Sequence, residues 1–151
     1  MPDLSERFME TDAKSIDVDG RPVVQMYERE VTDGTTVDVE FERTAGDRVQ
    51  GLNLSLTDGV LEVNEERIRD VVLYTDTAPR HVPLICHTEG PVTAQVWNSW
   101  RAESGEDRDD AWIGEAGIAV DDQGSEEVRL RCSDGIGPLD FDDLVVRLRF
   151  G

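Results

Sequence analysis

The stretch Thr35-Thr36-Val37-Asp38-Val39-Glu40-Phe41-Glu42-Arg43 decides the fold. Val37, Val39 and Phe41 alternate with Asp38, Glu40 and Glu42, so one side of the segment is apolar and the other carries carboxylates. Side chains of a strand point alternately to its two faces, and a period of two is that of a half-buried strand rather than a helix. The same alternation recurs along the chain. Leu52, Leu54 and Leu56 alternate with Asn53, Ser55 and Thr57, and Val128, Leu130 and Cys132 with Arg129 and Arg131. In the closing segment Leu144, Val146, Leu148 and Phe150 share one parity and Arg147 and Arg149 the other.

Between these segments, Arg21–Val31, Val60–Asn64, Ile68–Thr75, His81–Thr88, Val92–Trp100 and Ala111–Val120 read as further strands. Asp58-Gly59 tolerates the positive φ of a tight turn and predicts a hairpin. Glu65-Glu66-Arg67 and Glu89-Gly90-Pro91 read as turns, residues 102–110 as a polar loop and Ser133–Pro138 as a glycine-rich one. Gly114 and Gly117 mark a bulge. The continuous run Val71-Val72-Leu73-Tyr74 predicts a central strand covered on both sides. The pattern gives about ten strands spaced by turns, with little helix, the signature of an all-β antiparallel two-sheet β-sandwich, jelly-roll-like. Residues 1–20 read as a polar N-terminal arm with at most a short helix over 3–10, and residues 21–151 as a single β-sandwich domain. The ending Asp140-Phe-Asp-Asp-Leu-Val-Val resembles the last strand of carbohydrate-binding jelly rolls.

The 151 residues carry 34 Asp+Glu against 15 Lys+Arg, a formal charge of -19. Only one basic residue, Lys14, is a lysine. Acid in this excess with almost no lysine is the composition of proteins adapted to high salt, where dense carboxylates hold a hydrated surface and salt screens their repulsion. A GC-rich genome also favours arginine over lysine but does not explain the acidity. A cationic partner is the third reading. The charge is spread along the chain, which suits a solvated shell rather than an acidic tail. Nucleic acid is excluded as a partner on this surface, because phosphate binding needs clustered positive charge. No apolar run approaches the ~18 residues of a membrane span. The start of the chain has no apolar signal region, so a cytoplasmic location with reduced thiols is expected for Cys86 and Cys132. At inward parity, both are expected to be buried and inert.

The chemistry-bearing residues are few. In His81-Val-Pro-Leu-Ile-Cys86-His87 the two histidines share a strand face but lie ~20 Å apart. Two ligands of one metal must each lie ~2 Å from it. Cys86 and His87 point to opposite faces and make no nucleophile–base pair. The acid groups Asp107/Asp109/Asp110, Asp121/Asp122/Glu126/Glu127 and Asp140/Asp142/Asp143 read as solvated faces. Asp17-Val-Asp-Gly20 opens like a calcium loop but lacks its closing Glu. Neither a nucleophile elbow nor a phosphate-binding glycine loop is present. No cofactor, metal or catalytic residue is therefore expected.

Two binding candidates remain. Trp97 has the parity opposite to Val92, Ala94 and Val96, so it faces out beside Arg101, either as a stacking platform or covered by a loop such as residues 102–110. Arg129, Arg131, Arg147 and Arg149 fall on one patch if their strands are neighbours. That patch is either an ion-pair ladder with Glu40 and Glu42 or a site for an acidic ligand. The reading these features favour is a non-catalytic acidic binding module for a protein or small polar ligand. The alternatives are an acidic inhibitor or immunity-type protein for a basic partner, and a small hydrolase with a carboxylate site built from loops.

Overall fold

The computed structural model describes residues 3–11, 14–44, 48–101, 109–122, 124 and 126–151. One helix opens the chain, α1 (Leu4–Thr11). Then follow β1 (Ser15–Val18), β2 (Arg21–Val24), β3 (Tyr27–Val31), β4 (Thr36–Thr44), β5 (Gln50–Leu56), β6 (Val60–Val63) and β7 (Glu66–Ile68). The rest are β8 (Asp70–Tyr74), β9 (His81–His87), β10 (Val92–Arg101), β11 (Asp109–Asp110), β12 (Gly117–Asp122), β13 (Glu127–Ser133) and β14 (Leu144–Phe150). They form two antiparallel sheets. The larger has the order β1-β2-β12-β13-β14-β4-β9-β6-β7, and the smaller β11-β10-β5-β8, with β3 also on β10. Val37, Val39, Leu84, Leu130, Val146 and Leu148 of the large sheet share one buried cluster with Leu52, Leu54, Val71 and Val96 of the small one. This is the expected all-β sandwich.

The strands number fourteen among the described residues, against about ten expected. The difference lies in short elements and in one split. Arg21–Val31 is two strands: β2 pairs with β12 in the large sheet and β3 with β10 in the small one. The segment read as an arm is also part of the sheet. β1 pairs with β2, and α1 buries Leu4 and Phe8 against Val18, Val23 and Ala119. Leu4 and Phe8 are four residues apart and so lie on one helix face. Asp3 caps this helix, its Oδ1 accepting the Glu6 N–H at 2.9 Å. Capping lowers the Asp3 pKa, because the Glu6 and Ser5 hydrogen bonds favour the charged form.

Three turn and strand expectations are corrected. Asp58-Gly59 is no hairpin: it carries the chain from β5 in the small sheet to β6 in the large one. Gly59 still needs its freedom, with φ 131 and the His87 carbonyl 2.6 Å from where a Cβ would sit. The tight hairpins with positive φ are Asp19-Gly20 between β1 and β2 and Asn64-Glu65 between β6 and β7. Val71–Tyr74 is not central. β8 is an edge strand paired only with β5, and Val72 is 37 % exposed. Gly114 and Gly117 make no paired bulge. Gly114, at φ 57, lets the chain pass against the Gly135 carbonyl.

Cys86 and Cys132 are buried and free. Burial pushes the Cys86 thiol up to about 11 and raises that of Cys132 as well, so neither forms thiolate readily.

Candidate functional site

Arg129, Arg131, Arg147 and Arg149 do come together on the outer face of the large sheet, where β13 and β14 are neighbours and Arg129 stands opposite Arg147. All four guanidiniums are held by carboxylates of the same chain. Glu42 on β4 bridges the opposed pair, with Oε1 2.7 Å from Arg129 Nε and Oε2 2.8 Å from Arg147. Arg131 meets Asp142 at 3.1 Å and Arg149 meets Glu127 at 3.1 Å. The Arg129 hydrogen bond holds the Glu42 pKa below the usual range despite partial burial, with the Arg129, Arg147 and Arg131 charges adding to it. The same bond raises Arg129. A carboxylate between two opposed arginines offsets the repulsion that like charges suffer across a sheet. The recess beside this ladder, lined by Asp38, Glu40, His81, Glu127, Arg147 and Arg149, holds about 140 Å³. That is below the ~300–1,000 Å³ of a small-molecule pocket. The arrangement is an ion-pair ladder.

Trp97 and Arg101 lie on the other sheet, on the opposite outer face of the sandwich, so the candidate residues form two separate groups. Trp100, of the other parity, is fully buried. Half-buried Trp97 is partnered by Trp112, with ring centroids 5.5 Å apart and planes tilted by 34°. Trp112 is 41 % exposed and Ile113 is 50 % exposed. Trp112 sits at φ 60, a left-handed conformation that is uncommon for so bulky a residue. Its Nε1–H donates to the Gln25 carbonyl at 3.0 Å, which fixes the ring over the sheet. Farther along the same face, the Arg101 guanidinium lies over the Tyr74 ring and 3.6 Å from Asp76. Tyr74 Oη donates to Asp109 at 2.7 Å. Gly51 makes this crowding possible: a Cβ there would stand 2.7 Å from Ser99 Oγ. Asn53, read as a wet-face residue, is buried, as is Ser99, and the two are bonded to each other at 2.8 Å. Trp112 was not among the residues the pattern singled out. Its signal was an apolar pair, Trp112-Ile113, directly after an acidic loop. Of that loop, residues 102–108 lie outside the described residues, and Asp107 with them.

A buried polar knot closes one end of the sandwich. The fully buried Asp134 carboxylate accepts Arg48 at 2.8 Å, Gln50 at 2.9 Å and the Ile136 N–H at 3.0 Å. Asp143 Oδ2 accepts the Asp134 N–H at 3.0 Å. Burial is the main cause that pushes the Asp143 carboxyl up to about 6, with the Asp134 and Asp140 charges adding to it. Asn98 donates to the Ser133 carbonyl at 3.0 Å. Gln50 and Asn98 stand at inward parity beside Leu52 and Val96, and a polar residue at an apolar parity is the signal by which this knot is legible.

The histidines take separate partners. His81 lies 3.5 Å from Asp38, and His87 lies 2.7 Å from Glu62. Among the described residues no group of three or more His, Cys, Asp or Glu is placed to hold a metal ion. No described helix is long and apolar enough to cross a membrane. Comparison with protein-family models, with curated proteins and with solved structures finds no match to this chain.

Proposed function

We propose that the chain is a non-catalytic binding module on a jelly-roll-like sandwich, working in the cytoplasm. It takes a protein partner or a small polar ligand on the outer face of the small sheet. The observation that supports this is the Trp97–Trp112 pair. Trp112 holds a conformation that costs of order 1–3 kcal/mol in a non-glycine residue, and it leaves 41 % of its surface in water. Strain of this kind concentrates where a side chain must be presented rather than packed. The two indoles, tilted by 34°, give an apolar patch, and Arg101, Tyr74 and Asp109 supply directional polar groups farther along the same face. That mixture suits a sugar ring or a side-chain plane of a partner.

Tryptophan fluorescence tests it. Trp100 is buried and gives a constant background, so titration with soluble oligosaccharides reports on Trp97 and Trp112. Saturable quenching that Trp112→Ala and Trp97→Ala abolish, with the unfolding midpoint kept, is the expected result. No change with any oligosaccharide, and no partner whose capture depends on Trp112, refutes the reading.

A further inference from the structure

The two outer faces of the sandwich balance their charge differently. On the large sheet four arginines are held by Glu42, Asp142 and Glu127. The small sheet has no such compensation. Tyr27, Arg29 and Val31 of β3 stand opposite the inward residues Val96, Ala94 and Val92 of β10, so alternation turns Glu28 and Glu30 outward. Val71 and Leu73 of β8 are buried, which turns Asp70 outward in the same way. All three acids are exposed. Among the described residues Glu30 and Asp70 meet no cation, and Glu28 meets only Lys14, at 3.9 Å, whose side chain is 94 % exposed. Arg101 is the only base at outward parity on β3, β5, β8, β10 and β11, and it lies 3.6 Å from Asp76.

The strand register places these acids beside the indoles. Glu28, Gln95, Ser55 and Asp70 form one row across β3, β10, β5 and β8. Trp97, Asn53 and Val72 form the next row, two residues or ~7 Å farther along the strands. Trp112 rests against Trp97 and is 41 % exposed. The first row is therefore a polar strip with a carboxylate at each end and the indole pair along its flank. Its two ends are three strand spacings apart, ~14 Å.

An exposed indole with carboxylates about a side chain's length away attracts a cation. A guanidinium suits it best, because its plane stacks on the ring and its fork takes a carboxylate in two bonds. A neutral sugar would stack as well, but it would leave Glu28, Glu30 and Asp70 unmatched.

We infer that this face takes an arginine-bearing segment of a basic protein partner, with one guanidinium stacked on Trp112 and others paired with Glu28 and Asp70. The inference rests on the reading of Trp97 and Trp112 as a binding platform and names what that platform takes. Residues i, i+2 and i+4 of an extended chain face the same way and span ~13 Å, so alternate arginines match the row.

The probe is a dye-labelled peptide of about six residues alternating arginine and serine, a length that spans the row. Affinity is read by fluorescence anisotropy and contact by tryptophan quenching with the unlabelled peptide. The buffer holds ~0.15 M salt, where exposed charges more than ~8 Å away are largely screened. Saturable binding with quenching is expected. Trp112→Ala and the pair Glu28→Gln/Asp70→Asn should each weaken it about 10-fold, and the pair decides the matter if Trp112→Ala does not fold. Glu65→Gln/Glu66→Gln removes the same charge from the β6–β7 hairpin of the other sheet and should leave binding unchanged. A citrulline peptide keeps the shape without the charge, and a lysine peptide the charge without the plane; equal binding of either overturns the proposal. So does an equal loss in the two carboxylate pairs, which marks attraction to the acidic surface at large. Oligosaccharide binding that Trp112→Ala abolishes, with none of the arginine peptide, overturns this inference and keeps the platform. Quenching by neither ligand overturns both.

Discussion

Replacing Asp143 by Asn should stabilise this protein at neutral and alkaline pH and leave it unchanged in acid. Asp143 is 7 % exposed. Its carboxyl is raised from the ordinary 3.8 to about 6, chiefly by burial. A carboxyl with a raised folded pKa holds its proton more tightly folded than unfolded. Between about pH 4 and pH 6 the native state therefore binds more protons, and stability falls as pH rises through that window. Each pH unit of difference is worth about 1.4 kcal/mol, which sets a ceiling of about 3 kcal/mol for the cost of the ionised group at pH 8. The asparagine oxygen still accepts the Asp134 N–H, so the hydrogen bond at 3.0 Å survives while the charge does not. Its new NH2 must find acceptors, so the expected gain is ~1–3 kcal/mol, or roughly 2–4 °C in midpoint per kcal/mol for a domain of this size. The assay is thermal and urea unfolding of both proteins from pH 4.5 to pH 8. A gain at pH 8 that shrinks steadily as pH falls from about 6 towards 4 is the expected signature. A variant less stable at pH 8, or a difference independent of pH, refutes the assignment of a raised pKa to Asp143.

Glu42→Gln should behave with the opposite sign. The depressed Glu42 pKa contributes stability above the unfolded carboxylate range and loses it as pH falls through the folded value. The variant therefore costs ~1 kcal/mol at pH 7 and little at pH 3, read from urea midpoints. Gly135→Ala should cost ~1–3 kcal/mol by overpacking, because a Cβ would stand 2.5 Å from the Ile113 carbonyl and 2.6 Å from Trp100 Cζ2. A variant within ~0.5 kcal/mol of the parent in chemical denaturation contradicts that close approach. With a formal charge of -19, the thermal midpoint should rise substantially between tens of millimolar and molar potassium chloride. A flat response removes salt adaptation as the reason for the acidity.

Much of the local structure was legible because alternation in sequence is alternation in space. The parity of Val128, Leu130 and Cys132 against Arg129 and Arg131 names the buried and the solvated face without any knowledge of the partner strand. The opposed parities of Trp97 and Trp100 separate the presented indole from the core one in the same way. Cys86 and Cys132 follow the rule too. The site was less legible. The Arg129–Glu42–Arg147 bridge needs β4, β13 and β14 side by side, and Trp112 meets Trp97 across a loop.

The sequence by itself determined which side of each strand is apolar, that the chain folds as two antiparallel sheets around one core, and where several of its chain reversals fall. Only the tertiary structure decided which sheet each strand joins. Asp58-Gly59 serves a crossing between sheets as readily as a hairpin, and Arg21–Val31 divides between both sheets with only Gln25-Met26 between its two strands and no Gly or Pro at the division. It also decided that Val71–Tyr74 lies at an edge and that Glu42 sits between two arginines. The physical reason is that a side chain's face is fixed by its own backbone and its immediate neighbours. Sheet membership, edge position and the partner of a charge are fixed by hydrogen bonds and contacts between segments tens of residues apart, which no period within one segment records.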